Sequence, residues 1–366
     1  MTTGRPSGGR AARPQASPEA DIRQLILAEV ATLYYVDRLN QEQIARQIGR
    51  SVSTVSRFLA DAEATGIVEV RVHQPTPVEP DLQLALAHRF GLRCARVLRT
   101  SAAEPQRILP HLGNLAARYL TAILADDAVI SVGWGTSLYE VVQAMTPGLR
   151  RGFHIVQALG SLGNRLPAID NHSITRLLAE RIGGTPHFLP APMIVESEFV
   201  RDALVQDPQL RETLALARRS DIALVGVGGT EPEQSGVYRA VHIDAEMLES
   251  IRDAGAVGDI AVEFFDRYGR FLDLEVSRRV VGTRLSDLRD ARTVIAVAGG
   301  ASKALALLGA LRTGVLHVLI TDDTTATRVL ELADAFPEKE APVPARSSAL
   351  AGTGGAGGAG ARSEAV

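Results

Sequence analysis

Two periods of apolar residues divide the chain. Between Asp21 and His73 the spacing is helical: Ile22, Leu25, Ile26, Val30 and Leu33 predict one amphipathic helix buried along that stripe. Asn40 stands where a second helix can start, with Ile44, Ala45 and Ile48 on its inner face, and Gly49 punctuates it. Ser51 is placed to cap a third helix that runs to about Thr65, where Gly66 ends it. Val68, Val70 and Val72 then alternate with Glu69, Arg71 and His73, the two-residue period of a strand.

From about Asp81 to Phe336 the pattern changes. Short apolar runs end in small residues and lead into helical stretches: Ala128–Gly133, Ile155–Gly160, Ile222–Gly226, Val294–Gly299 and Val318–Thr321. Runs rich in β-branched residues and free of polar alternation suit strands covered on both faces. Strands alternating with helices predict an α/β fold around a parallel sheet.

Between the two patterns Pro75, Pro77 and Pro80 forbid a continuous helix and predict an extended linker over residues 74–80. The expected organisation is a disordered tail over 1–19, a helical unit over 20–73, the linker, an α/β unit over 81–336, and a low-complexity tail over 337–366. Hydrophobic residues make up 46% of the 366, ample for two cores, yet no run reaches the roughly 20 apolar residues that span a bilayer. The polar start lacks the apolar segment of a secretory signal. Cys94 is the only cysteine, which excludes an intrachain disulfide and a cysteine metal cluster. A cytoplasmic protein with no membrane partner, bound metal or cofactor is expected. The net charge of −3 means that any nucleic-acid binding rests on where charge is placed, not on its quantity.

The third helix is the place to look. At 100° per residue Val52, Val55, Phe58, Leu59 and Ala62 share one arc, while Ser53, Thr54, Ser56 and Arg57 face away. Two short helices joined by a glycine-bearing turn, the second showing small polar residues and an early arginine, are what entry into the major groove requires. Hydroxyls of Ser51, Ser53, Thr54 and Ser56 can meet bases or phosphates. Arg57 can fork onto guanine or a phosphate, and Arg46 and Arg50 can clamp the backbone beside it. Four arginines (Arg46, Arg50, Arg57, Arg71) face four acids (Glu42, Asp61, Glu63, Glu69) between Gln41 and His73. A neutral module binds double-stranded DNA weakly as a single copy, so a homo-oligomer is expected.

Leu39-Asn-Gln-Glu-Gln-Ile-Ala, Thr54-Val-Ser-Arg-Phe-Leu and Gly66-Ile-Val resemble the DNA-binding head of the SorC family of sugar-responsive bacterial regulators. The resemblance continues through Val132-Gly-Trp-Gly-Thr-Ser-Leu, Gly255-Ala-Val-Gly-Asp-Ile, Val297-Ala-Gly-Gly-Ala-Ser-Lys303 and Leu319-Ile-Thr-Asp322, covering about residues 25 to 335. It implies a helix-turn-helix head, and an effector domain of the Rossmann-like type found in sugar-phosphate isomerases and CoA transferases. It also implies dimers or tetramers whose operator affinity changes with a sugar, polyol or sugar phosphate. Three positions depart from the family. Arg50 stands where an apolar residue is common and Val52 where a basic one is common. Leu159, before Gly160, replaces an arginine that some phosphosugar-sensing members carry.

Candidate effector contacts follow from strand ends and from the resemblance. Gly133-Trp-Gly135-Thr136-Ser137 joins a strand end to a helix start, where backbone amides and two hydroxyls can meet an anion or a hydroxyl. Alternatively, Thr136 is only a cap. Trp134 either stacks on a sugar or packs on the sheet. Gly160-Ser161 and Gly228-Gly229 sit at further strand ends, where open α/β sheets bind ligands. Lys303 is one of two lysines in an arginine-rich chain, the other being Lys339, and its place at a strand-to-helix loop points to a compact charge. The resemblance adds Asp170, as ligand contact or helix cap, together with Asp259 and Arg239 as polar site positions. The rival reading is a sugar-phosphate isomerase-like enzyme, which needs a proton-shuttling base such as Asp259 or Glu263. No nucleophile-elbow, zinc-protease or phosphate-loop motif is present.

Overall fold

The computed structural model describes residues 18–68, 77–100, 108–148, 152–163, 166–233, 235–240 and 243–337. They fall into two compact units that part between Pro75 and Thr76.

The first unit holds α1 (Pro18–Ala31), a π-helical turn over Thr32–Val36, α2 (Gln41–Ile48) and α3 (Val52–Ala64). Asn40 and Gln43 form a capping box at α2, and Gly49 closes that helix in the left-handed region at φ 65°. Ser51 caps α3 by accepting from the Thr54 amide. The inner stripe of α1 is not the one its periodicity first indicates. Ile22 and Leu25 are 57% and 70% exposed, Ile26 is exposed too, and Leu27, Val30 and Ala31 pack inward. Both stripes obey the i, i+3, i+4 rule and share Val30, so spacing alone cannot choose between them. Ile44, Ala45, Val55, Leu59 and Ala62 complete the core, whereas Val52 at the first turn of α3 is exposed. Most of the strand expected over Val68–His73 lies outside the described residues.

Of the linker expected over 74–80, only residues 77–80 are described. Val78 bridges Leu98, the Arg99 amide donates to Pro77 O, and Pro80 is the first residue of α4 (Pro80–Phe90). The larger unit is built on a parallel sheet of seven strands: β1 (Cys94–Leu98), β2 (Val129–Val132), β3 (His154–Gln157), β4 (Thr185–His187), β5 (Ile222–Gly226), β9 (Thr293–Val297) and β10 (Val318–Asp322). Their spatial order is β1-β10-β9-β5-β2-β3-β4. Alternate residues serve opposite faces. Ile222, Leu224, Ile295 and Val297 pack under α5 (Ile108–Ile123), α6 (Thr136–Ala144) and α7 (Asn171–Ile182). Ala223, Val225, Val294 and Ala296 pack under α4, α14 (Ala304–Arg312) and α15 (Asp323–Ala335). The helical pair α8 (Glu198–Val205) and α9 (Pro208–Arg218) leads from β4 back to β5.

Between β5 and β9 the chain inserts a small cap. It holds an antiparallel sheet of β6 (Gly228–Gly229), β7 (Gly258–Ile260) and β8 (Glu263–Phe265), with α10 (Gly236–Ala240), α11 (Ala245–Asp253), α12 (Glu275–Arg278) and α13 (Leu285–Leu288). Val237, Leu248, Ile251, Val262 and Phe264 give it a core of its own, into which Leu159 and Met193 of the main body reach. After β2 the chain steps to β3 on one side, and β5 enters on the other. The crevice beyond the carboxyl ends of β2 and β5 is therefore the switch point of the sheet.

Candidate functional site

A pocket opens at that switch point, between the strand ends and the cap, where open α/β sheets bind ligands. One wall is the loop after β2. Gly135, not Thr136, is the N-cap of α6, and no side chain caps the helix, so its first-turn amides are left for another acceptor. Thr136 and Ser137 line the pocket beside Trp134. The next wall is the end of β5. Gly228 pairs with Asp259 in the small sheet, and a Cβ there would lie 2.0 Å from Asp259 Oδ1, so only glycine fits.

Asp259 is 4% exposed. Its Oδ2 accepts from the Val262 amide at 3.1 Å, and its Oδ1 has no hydrogen-bond partner among the described residues. Burial pushes this carboxyl up to about 6, against the opposing pull of the Val262 amide and the nearby Lys303 charge. The turn that supplies the amide is unusual. Ala261 and Val262 connect β7 and β8 with φ of 56° and 64°, a geometry that normally selects Asn-Gly. A buried β-branched residue in the left-handed region is strained, and Asp259 and Ser277, whose hydroxyl donates to Val262 O, hold it there.

Lys303 ends a short 3-10 turn before α14 and donates from Nζ to Val227 O at 3.1 Å. Burial lowers its pKa, Asp259 raises it, and the Arg239 guanidinium lowers it again. Arg239, from α10, lines the same pocket. Thus Gly135, Thr136, Ser137, Gly228, Arg239, Asp259 and Lys303, spread over more than 160 residues of sequence, come together around one cavity.

Gly160, Ser161 and Asp170 do not join that lining. An added Cβ on Gly160 would lie 2.4 Å from Pro192 O, so the glycine serves a close crossing of two backbones. Ser161 Oγ donates to Asp170 Oδ2 at 2.7 Å, and Asp170 also accepts from the Leu162 and His172 amides while capping α7. Its carboxylate is already occupied. His172 stacks on Phe188, with centroids 4.2 Å apart.

The neighbouring Asn171 is the residue that sequence reasoning passed over. Fully buried, it accepts from the Leu159 amide at 2.8 Å and donates to Val132 O and Gly133 O at 2.7 and 3.0 Å. It clamps the end of β2 to the end of β3 behind the pocket. Its only signal was its place directly after a helix cap. Leu159 presents a buried apolar side chain to the pocket, with no basic group at that point. Among the described residues no cluster of His, Cys, Asp or Glu is arranged to hold a metal ion, and no helix is long and apolar enough to cross a membrane.

In the smaller unit Ser51 Oγ lies 2.9 Å from Ser53 Oγ and 2.8 Å from Thr54 Oγ1, a hydroxyl cluster at the start of α3. Ser56 and Arg57 are exposed beside it, as are Arg46 and Arg50. Among the described residues Arg50 and Arg57 take part in no ion pair, whereas Arg23 is bound to Asp61 at 2.7 Å.

A family model for a sugar-binding domain, Sugar-bind, matches residues 78–331. The deoxyribonucleoside regulator of Bacillus subtilis is 31% identical over 304 residues, covering 83% of this chain and 96% of that protein. The erythritol catabolism regulatory protein EryD of Brucella abortus is 26% identical over 313 residues, 85% of this chain and 98% of its own. The crystal structure of the full-length sorbitol operon regulator SorC from Klebsiella pneumoniae superposes with a TM-score of 0.63 at 25% identity. That match covers 84% of this chain and 99% of the regulator.

Proposed function

Because the chain belongs to the SorC family of transcriptional regulators with a sugar-binding domain, we propose that a sugar, polyol or singly phosphorylated sugar bound at the β2–β5 crevice controls its affinity for operator DNA. The relatives are named as regulators and not as enzymes, which decides against the isomerase reading. Names among them mention a deoxyribonucleoside, erythritol and sorbitol, all of which carry hydroxyls.

One observation carries the choice of ligand. The pocket sets Lys303 and Arg239 beside a carboxylate that is itself buried, and it has Leu159 where further positive charge would be needed. A single anionic group can be met there by Lys303 and the uncapped amides of α6. A second phosphate, of roughly two charges, would have only Arg239 as a further cationic partner and would be buried in the same pocket as the Asp259 carboxylate. Matched calorimetric titrations of a sugar, its monophosphate and its bisphosphate test this. The free sugar or monophosphate is expected to bind tightest; tightest binding by the bisphosphate, lost in Lys303→Ala, would overturn it.

The DNA partner is read by α3, whose Ser51, Ser53, Thr54, Ser56 and Arg57 stand at one exposed helix start with Arg46 and Arg50 alongside. Val52, exposed among them, offers methyl groups suited to thymine. With no excess of positive charge in the head, binding draws on two or more copies, so the working form is a dimer or tetramer.

A further inference from the structure

We infer that Thr283, in the segment between α12 and α13 of the cap, is a hydroxyl-reading residue of the effector pocket and helps set its specificity for a polyhydroxylated, uncharged segment of the ligand. The inference rests on the effector reading above and adds a residue that neither motif nor helix start signals.

Thr283 is 3% exposed and lines the pocket. Its backbone amide is engaged in the fold, donating to Ala158 O at 2.8 Å just past the end of β3. Its hydroxyl, by contrast, has no hydrogen-bond partner among the described residues. A buried hydroxyl without a partner is destabilising, and such groups are rare in native proteins unless a ligand or water completes them. Threonine is therefore a poor choice for fold alone at this position, where valine has the same shape and no polar atom.

A second orphan oxygen shares this pocket. Among the described residues Asp259 Oδ1 is also buried without a partner, and it packs against the bare Cα of Gly228, where a Cβ would lie 2.0 Å from that oxygen. The two groups are complementary in type: the carboxylate oxygen accepts, and the hydroxyl donates as well as accepts. A stretch of ligand hydroxyls satisfies both. A phosphate does not, because it would meet the carboxylate with like charge. The anionic pole, at Lys303 and the start of α6, and the hydroxyl-reading groups, Thr283 and Asp259 Oδ1, thus recognise different parts of one ligand. Thr321 Oγ1 and Gln83 Oε1 are orphaned as well, but neither lines this pocket.

The test uses the full chain, with Thr283→Val and Thr283→Ser as variants. Sorbitol, erythritol, ribose 5-phosphate and 2-deoxyribose 5-phosphate serve as probes, read by thermal melting and calorimetry. Without sugar, Thr283→Val should melt at or above the wild-type temperature. Its affinity for whichever probe binds the wild type tightest should fall about tenfold, with Thr283→Ser staying within about threefold of wild type. A sugar-free Thr283→Val that melts several degrees lower would show that the hydroxyl serves the fold, and overturn the proposal. Unchanged probe affinity in Thr283→Val would overturn it too, leaving the effector reading intact. If none of the four probes bound the wild type, the effector reading would fall and the proposal with it.

Discussion

The ends of β2 and β3 look alike in sequence and differ in what their polar groups are doing. Each closes an apolar run with glycine and small hydroxyl residues, Gly133 to Ser137 in one case and Gly160-Ser161 in the other. At the end of β2 the helix that follows has no side-chain cap, and Thr136 and Ser137 face a cavity. At the end of β3 nearly every polar group already has a partner. Gln157 bonds Leu159 O and the Leu189 amide, Asn171 takes the Leu159 amide, and Ser161 is held by Asp170. Hydroxyls next to a glycine mark a strand end, but what makes a binding site is polar groups left without a partner inside the protein. The same contrast holds in the head, where among the described residues Arg57 takes part in no ion pair and Arg23 is bound to Asp61.

The largest effect is expected from removing the clamp between the two ends. Asn171→Ala leaves the Leu159 amide and the Val132 and Gly133 carbonyls without that partner in a buried setting. The Val132 carbonyl keeps its bond from the Ala158 amide, so at about 1–3 kcal/mol for each of the two groups left unsatisfied the loss should be on the order of 2–6 kcal/mol. Urea unfolding measures it, and a loss under about 1 kcal/mol would show that the two ends are held by other means.

Protonation sharpens the unpaired side. The carboxyl of Asp259 is raised in the folded protein, so its contribution to stability is full below the ordinary carboxylate range and is lost as pH rises through about 6. The difference in unfolding free energy between wild type and Asp259→Asn should therefore shift against the wild type between about pH 4 and pH 6.5, by at most about 3 kcal/mol. A flat difference across that window would mean that Asp259 stays charged at little cost.

In the head, Arg57→Ala should weaken binding to the operator by about 1–3 kcal/mol at fixed salt, with the fold intact. Arg23→Ala, which removes an exposed and already paired charge, should change it by less than about 1 kcal/mol. Equal losses in the two variants would erase the distinction between paired and unpaired arginines.

Ser161→Ala should have the smallest effect. Loss of one hydrogen bond to Asp170 costs about 1 kcal/mol of stability, with effector affinity unchanged. A tenfold loss of affinity would return the end of β3 to the site.

The legibility of the sequence follows the same division. The five strands expected from apolar runs all appear, because burial on both faces leaves no polar position to break the pattern. The edge strands escaped notice: β1 carries the exposed Arg96, and β4 is three residues long with Pro186 at its centre. The stripe of α1 was ambiguous because Leu25, Ile26 and Leu27 are consecutive and supply two registers. Lys303 stood out by rarity, and the glycine and hydroxyl loop after β2 by composition. Asn171 and Thr283 did not, since their importance lies in which distant groups they do or do not meet, a property of the folded chain alone.

The central claim is that the effector meets the end of β2 and not the end of β3. Hydrogen–deuterium exchange with and without the tightest-binding sugar of the panel tests it most directly. The account predicts slowed exchange over residues 134–138, at the uncapped start of α6, and no change over 160–163. Protection confined to 160–163, with 134–138 unaffected, would contradict it.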